Sequence, residues 1–421
     1  MATTSDTEGR MRVMREAVGR HTRDFPLHAP DESVKLPEKD VVLATGTTGV
    51  VGARILHELM HDDSVARIYA VNRRHKGQMD TLLERQKIAF AKQDLPSDYL
   101  QSEKVILVEA NMDEDGLGLS PALLGEVRES VTHIVHNAWR VDFGLPLASF
   151  EPNIRSVRCI VDLALSSHLP TPARILFVSS IAAVWLANTS PHASVPEEPA
   201  PPDFALINGY GQSKWVAEMI LQQSPLQSTI VRIGQVCGAI GSNGSAYWNT
   251  VEWFPRVVKS SVTLGCFPSG NARISWIPVD AVARFLVRAR STSSGFLHLV
   301  HPRPASWAVL ARTISVALGL HLVPYIEWRA KLEGATRGSK ANTNRGRLPV
   351  AKILPLLPPM LSSRDLGAGE AMDLPNLDMT AASRLLALDE NLLGLEQVDE
   401  RDVQAWVQAW KESGFLYPPK L

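Results

Sequence analysis

Tyr210 and Lys214 stand four residues apart in Tyr210-Gly211-Gln212-Ser213-Lys214, a spacing that sets both side chains on one face of a helix. An ammonium beside a phenol favours the phenolate and keeps further N–H donors free for hydroxyl groups. Upstream, Ser179 and Ser180 follow Arg174 to Val178, an apolar run that reads as a strand. A serine hydroxyl delivered from that strand end completes a pair of donors for a carbonyl oxygen. The residue pattern leaves open which serine supplies it, and the chemistry requires no metal. Taken singly, each residue also fits a helix surface or a cap, so the reading depends on the elements that position them.

The first such element is Val41 to Gly52, an apolar strand that runs into a glycine turn and then into a helical pattern ending near Met60. Glycines at 46, 49 and 52 permit a tight turn, close approach of backbone N–H groups to a pyrophosphate, and close helix packing. Thr45, Gly46, Thr47, Thr48, Gly49, Val50 and Gly52 are therefore candidate dinucleotide contacts. Further strands read at Arg67 to Val71, Val105 to Val108, Val131 to His136, Thr229 to Ile233 and Phe296 to Val300, with a helical stretch at Ser149 to Ser166. The expected class is α/β: a Rossmann-type, mainly parallel sheet with helices on both faces and a smaller, largely helical C-terminal lobe. Trp276 to Asp280 returns the chain to the main fold, and helices are expected at Trp307 to Leu318, near Thr380 to Leu388 and at Asp402 to Trp410.

The end of the second strand reads Asn72-Arg73-Arg74-His75-Lys76, where an NAD-preferring site usually carries an acid. Arg73 and Arg74 suit bidentate contacts to a 2′-phosphate, which points to NADPH; a solvated charge run is the plainer alternative. The net charge of −1 over 421 residues gives no long-range attraction for nucleic acid or an anionic membrane, and neither is expected as a partner. Cys159, Cys237 and Cys266 lack metal-ligand spacing and read as buried thiols of a reducing compartment. With no secretory signal and no apolar run of spanning length, a cytoplasmic location is expected.

The glycine turn, Tyr210 with Lys214, and Trp276-Ile277-Pro278-Val279-Asp280 together resemble the extended short-chain dehydrogenase/reductase superfamily. Within it they are similar to the thioester reductase branch related to male-sterility-type fatty acyl reductases. Such domains terminate fungal nonribosomal peptide synthetase-like enzymes and carboxylic acid reductases. The resemblance runs from about Pro37 to the end of the chain and implies Ser180, Tyr210 and Lys214 as catalytic residues. It also implies cofactor contacts at Asn111 and Met112, at Asn137 and Ala138 after the fourth strand, and at Gly234 and Val236 near the nicotinamide. Asn153 matches an asparagine usual in the following helix. Two departures stand out: Asn111 replaces an aspartate frequent near the adenine, and Val231 to Val236 lacks a proline frequent after Arg232.

The activity this implies is NADPH-dependent release of an acyl group from a phosphopantetheinyl carrier-protein thioester as an aldehyde, with onward reduction to alcohol open. A sugar-nucleotide epimerase or dehydratase of the same superfamily and a non-catalytic cofactor-binding module are the alternatives. The carrier is expected upstream in the same chain or in trans, and the protein is expected to be a monomer. Arg337, Lys340, Arg345 and Arg347 are either part of a basic rim for the carrier or a solvated loop. Gly241 to Phe254 is either an adjustable pocket wall or a surface loop with one buried aromatic. The expected division is a leader helix and linker over 1–36 and an NADP-binding domain over 37–300, followed by a substrate and carrier-facing lobe over 301–421. Residues 237–275 are expected to contribute in part to that last lobe. In the leader, residues 1 to 8 read as disordered and Met11 to His21 as a short basic helix, fitting a retained interdomain linker or a surface helix.

Overall fold

The alternation of apolar runs and amphipathic stretches becomes a seven-stranded sheet in the computed structural model, which describes residues 4–74, 80–187, 193–240, 246–292, 295–337, 348–356 and 369–417. The strands are β1 (Asp40–Thr45), β2 (Val65–Arg73), β3 (Val105–Ala110), β4 (His133–His136), β5 (Arg174–Ser180) and β6 (Ser228–Ile233). Four short strands follow: β7 (Val236–Cys237), β8 (Cys266–Ser269), β9 (Arg273–Ile274) and β10 (Ile277–Pro278). The chain then rejoins the sheet as β11 (Phe296–Leu299), before β12 (Ala305–Ser306) and β13 (His321–Pro324). The sheet order is β11-β6-β5-β4-β1-β2-β3, and each neighbouring pair is parallel. The order reverses between β1 and β4, which opens a crevice beyond their carboxyl ends.

Among the described residues before 340 there are ten α-helices: α1 (Thr4–His21), α2 (Val50–His61), α3 (Leu82–Ala91), α4 (Pro121–Ser130), α5 (Glu151–Leu165), α6 (Gly209–Gln223), α7 (Trp253–Leu264), α8 (Val279–Ala289), α9 (Trp307–Leu318) and α10 (Tyr325–Thr336). Three more cover Thr380–Leu386, Glu390–Leu393 and Glu400–Glu412. Strand alternation sorts the sheet side chains into two cores. Leu43, Tyr69, Ile134 and Phe177 face α1, α5 and α6, whereas Val42, Ala70, Val135 and Leu176 face α2 and α8. Ala382, Leu386 and Leu392 also enter the second of these cores, so the late chain returns to the sheet. A third core gathers Trp248, Phe254, Trp276, Trp307, Trp328, Trp406 and Trp410. Trp248 packs against Phe254 at 5.1 Å and Trp406 at 4.8 Å between ring centroids. Its short parallel pair β8/β13 and antiparallel pair β9/β12 add strand content to a mostly helical lobe.

Several boundaries move. The fourth strand starts at His133, because Val131 closes α4. A 3-10 turn, Leu147–Phe150, precedes α5, which starts at Glu151. The leader differs most: α1 already runs from Thr4, where disorder is expected from polar composition, although residues 1–3 lie outside the described set. Met11, Met14, Ala17 and Val18 recur at helical spacing and are buried against the first core. Arg10 donates to the Leu206 carbonyl, and His21 Nε2 meets Glu151 Oε1 at 2.8 Å. A stretch that composition offers as a linker thus packs as a helix against α6.

Cys159, Cys237 and Cys266 are all buried free thiols. No helix among the described residues is long and apolar enough to cross a membrane. Within the expected basic rim, Arg337 is exposed and donates to Glu333 Oε2 at 3.3 Å, while Lys340, Arg345 and Arg347 lie outside the described residues. In the expected pocket wall, residues 241–245 likewise lie outside, and two aromatics, Trp248 and Phe254, are buried instead of one.

Candidate active site

Gly46 follows β1 directly with φ +72°, a left-handed conformation that residues other than glycine rarely adopt. A Cβ on Gly52 would lie 2.0 Å from the Gly46 carbonyl oxygen, so only glycine lets the first turn of α2 press onto the loop. Gly49 caps α2 with no side-chain hydrogen bond, so no side chain of the cap residue covers the leading N–H groups of the helix, the kind of position that binds anions. This glycine cradle with an uncapped helix start fits a dinucleotide pyrophosphate.

The threonines of the turn are committed to the protein through their side chains. Thr45 Oγ1 accepts from the N–H groups of Asn137 at 3.1 Å and Ala138 at 3.0 Å, and donates to His136 Nδ1 at 3.0 Å. His136 Nε2 then faces Ser156 Oγ at 3.3 Å, while that hydroxyl donates to the Asn153 carbonyl at 2.6 Å. The pattern assigns a neutral Nε2–H imidazole, in keeping with burial that pushes His136 down to about 3. Thr45 thereby ties the end of β1 to the end of β4, and Asn153 supports the tie from α5.

Asn72 and Gln86, to which sequence reading assigned no role, clamp the rest of the loop. Asn72 Oδ1 accepts from Thr48 N and Thr48 Oγ1, both at 3.1 Å, and its Nδ2 donates to Thr47 Oγ1 at 2.7 Å. Thr47 Oγ1 donates to Gln86 Oε1 at 2.8 Å, and Gln86 Nε2 returns a bond to the Thr47 carbonyl at 2.8 Å. Both amides are buried. The sequence marks Asn72 only as a polar residue after the apolar run Ile68 to Val71; its partners are not written there.

Arg73 and Arg74, at the end of β2, are exposed. Arg74 donates to the Gly118 carbonyl at 3.4 Å, while Arg85 of α3 supports the Arg73 carbonyl at 3.4 Å and pairs with Glu109. The buried Nε of Arg85 has no partner among the described residues. His75 and Lys76 lie outside them. Asn111 donates to Glu114 Oε1 at 2.9 Å, and Met112 packs on the first core. Gly234 and Val236 flank Gln235, which accepts from Trp253 Nε1 at 2.6 Å.

Asn208 caps α6 by accepting from Gly211 N at 2.8 Å, and the helix carries Tyr210 and Lys214 to the end of β5. The Tyr210 ring is held edge-on by Phe143 at 5.1 Å and Phe150 at 6.2 Å. Burial pushes the phenol up to about 12, opposed by a hydrogen bond with the Ser180 side chain, so Tyr210 is a neutral donor near pH 7. The expectation that the ammonium would favour a phenolate gives way to desolvation. Lys214 Nζ lies 5.9 Å from the Tyr210 ring centroid and donates to the Val178 carbonyl at 2.7 Å.

The two serines part company. Ser179 Oγ donates to Glu218 Oε1 at 2.5 Å, inside a buried pair in which Arg232 Nη2 meets Glu218 Oε2 at 2.8 Å. Ser180, half-buried at the strand end, is the one that meets Tyr210. Beyond the carboxyl ends of β5, β6 and β11 lies a cavity of about 250 Å³ whose walls include Ile181, Gln235, Val300, Leu377 and Met379. Arg273 and Glu370 stand at its polar side. Glu370 accepts from Ser275 N at 2.6 Å, and burial pushes its carboxyl up to about 7.

A family model described as male sterility protein matches residues 44–286. Among curated relatives, the adenylate-forming reductase Nps10 of Heterobasidion annosum is 41% identical over 97% of this chain and 37% of its own length. A carboxylic acid reductase of Neurospora crassa is 32% identical over 76% of this chain and 31% of its own length. The chain therefore spans about a third of the length of these relatives. Among solved structures, the terminal R domain of the myxalamid PKS-NRPS biosynthetic pathway superposes with a TM-score of 0.79 at 25% identity, covering 97% of this chain and all of that one.

Proposed function

The chain belongs to the male sterility protein family of NAD-binding domains, and from that premise we propose that it is an NADPH-dependent reductase that releases an acyl group from a phosphopantetheinyl carrier-protein thioester as an aldehyde. The reading is carried by one observation: Tyr210, Ser180 and Lys214 converge at the end of β5, in a sheet whose first strand ends in a glycine cradle. The reductase names of the relatives weigh against an epimerase or dehydratase.

The residues proposed to hold the cofactor are the backbone of Thr45 to Gly52, Arg73 and Arg74 for the 2′-phosphate, Asn111 and Met112, Asn137 and Ala138, and Gly234 and Val236. When bound, NADPH supplies a hydride for the thioester carbonyl. Tyr210 donates its phenolic proton as a hydrogen bond to the carbonyl oxygen as negative charge develops there, and Ser180 supplies a second donor. Lys214 adds its positive charge beside the same oxygen and offers its remaining N–H groups to ribose hydroxyls. Collapse of the tetrahedral species breaks the C–S bond and expels the thiolate of the pantetheine arm. The cavity beside Ile181 is the proposed acyl compartment. The proposal takes the enzyme as a cytoplasmic monomer served by a carrier in the same longer chain or in trans.

The test supplies purified protein with NADPH and one acyl group on two donors, a phosphopantetheinyl carrier and N-acetylcysteamine. Aldehyde forms from both, with a much higher kcat/KM for the carrier because its remote contacts contribute binding energy. Equal constants would remove the carrier claim, and no aldehyde or alcohol across a broad acyl panel would remove the reductase reading.

A further inference from the structure

Lys214 Nζ lies 4.2 Å from the ring centroid of Trp139 and 4.6 Å from that of Phe177. Phe177 belongs to β5 and is fully buried. Trp139 comes from the loop after β4 and is half-buried. The indole is fixed in place: its Nε1–H donates to Ser213 Oγ at 3.3 Å, and its ring meets Phe177 at 5.4 Å and His136 at 6.2 Å, both edge-on.

The other groups around this ammonium do little to keep it charged. Burial drives Lys214 towards the neutral amine, and Glu218, one turn further along α6, opposes the drive. That carboxylate is already shared between Arg232 of β6 and Ser179 of β5. His136 of β4 is neutral, and so are Tyr210, Ser213 and Ser180 near pH 7. On the covering loop, Arg140 and Asp142 pair with each other at 3.6 Å. Aromatic faces attract an ammonium and gain nothing comparable from an amine, and the attraction grows when water is excluded.

We propose that Trp139 is a positioning residue: with Phe177 it forms a two-walled aromatic slot that keeps Lys214 protonated and fixed beside Tyr210. The slot takes over the part that water plays at an exposed lysine. Trp139 is the informative wall, because it stands on a loop at the edge of the core, whereas Phe177 is built into the sheet. The kinetic arm of the test rests on the reductase reading; the spectroscopic arm does not.

The experiment follows the Lys214 side chain by NMR in protein carrying isotope-labelled lysine, with Lys214→Arg to assign its resonance. Loss of a wall that favours the charged form lowers the titration midpoint. In Trp139→Leu and Trp139→Met the midpoint falls by about one pH unit, and Trp139→Phe, which keeps a π face, lies between them and wild type. The alkaline limb of kcat/KM moves to lower pH by the same amount, and the acid limb stays. Two non-aromatic replacements are included so that one that fails to fold does not end the test. A wild-type midpoint in either folded variant, or a fall in kcat/KM at every pH with the limb unmoved, overturns the inference. A wild-type protein without turnover would instead count against the reductase reading, leaving the NMR midpoints to decide this one.

Discussion

Replacing Gly52 with alanine places a methyl group 2.0 Å from the Gly46 carbonyl oxygen, 2.8 Å from its carbon and 2.9 Å from Asn137 Nδ2. Ordinary contact begins near 3.4 Å, so the start of α2 has to move outward by roughly 1.4 Å. The obstacle is backbone, which cannot swing aside as the tip of a long side chain can. Overpacking of this kind costs about 1–3 kcal/mol in stability. The same displacement pulls the leading N–H groups of α2 away from the position where they converge with the glycine turn. Losing one or two charge-assisted hydrogen bonds to a pyrophosphate weakens binding by about tenfold to a hundredfold. The assay is NADPH titration followed by nicotinamide fluorescence, with the urea midpoint measured alongside. Gly49→Ala is the control for the urea midpoint alone, because its Cβ would stand 3.3 Å from the same oxygen and its φ of −81° suits any residue. Gly52→Ala with wild-type NADPH affinity and an unchanged urea midpoint would refute the cradle argument.

Tyr210→Phe keeps NADPH affinity and lowers turnover by roughly 10²-fold or more, since it removes a transition-state donor; wild-type rates with a thioester would exclude Tyr210 from the role given it. Ser180→Ala follows the same course, whereas Ser179→Ala leaves most of the turnover and lowers the unfolding free energy by about 1 kcal/mol, because Glu218 loses a donor. A reversed order between the two serines in a rate and urea comparison would contradict the assignment. Arg73→Ala combined with Arg74→Ala weakens NADPH by about tenfold or more and leaves NADH nearly unchanged; equal losses for both cofactors would show that these exposed side chains do not read the 2′-phosphate.

Parts of this site are written locally and parts are not. The intervals between Gly46, Gly49 and Gly52 are legible because each records a contact made within a single strand–turn–helix unit. Tyr210 and Lys214 are legible for the same reason, since one helix fixes their relation. Asn72 and Gln86 escape that reading, because their bonds to Thr47 join β2 and α3 to the turn across 25 and 39 residues. The apolar spacing of Met11, Met14 and Val18 announces a helix but not its partner: the Arg10 bond to Leu206 crosses 196 residues. The protonation of Tyr210 also required coordinates. Four-residue spacing puts an ammonium near a phenol, yet burial, to which the rings of Phe143 and Phe150 contribute, is what pushes the phenol up.

Reductive cleavage of a thioester is tested most directly by counting NADPH oxidised against thiol released when an acyl-carrier substrate is consumed. One NADPH per thiol with trapped aldehyde, or two per thiol with alcohol, is the predicted result, with both signals suppressed together in Tyr210→Phe. Thiol released without NADPH oxidation would identify simple hydrolysis, and it would contradict the proposed role of Ser180, Tyr210 and Lys214.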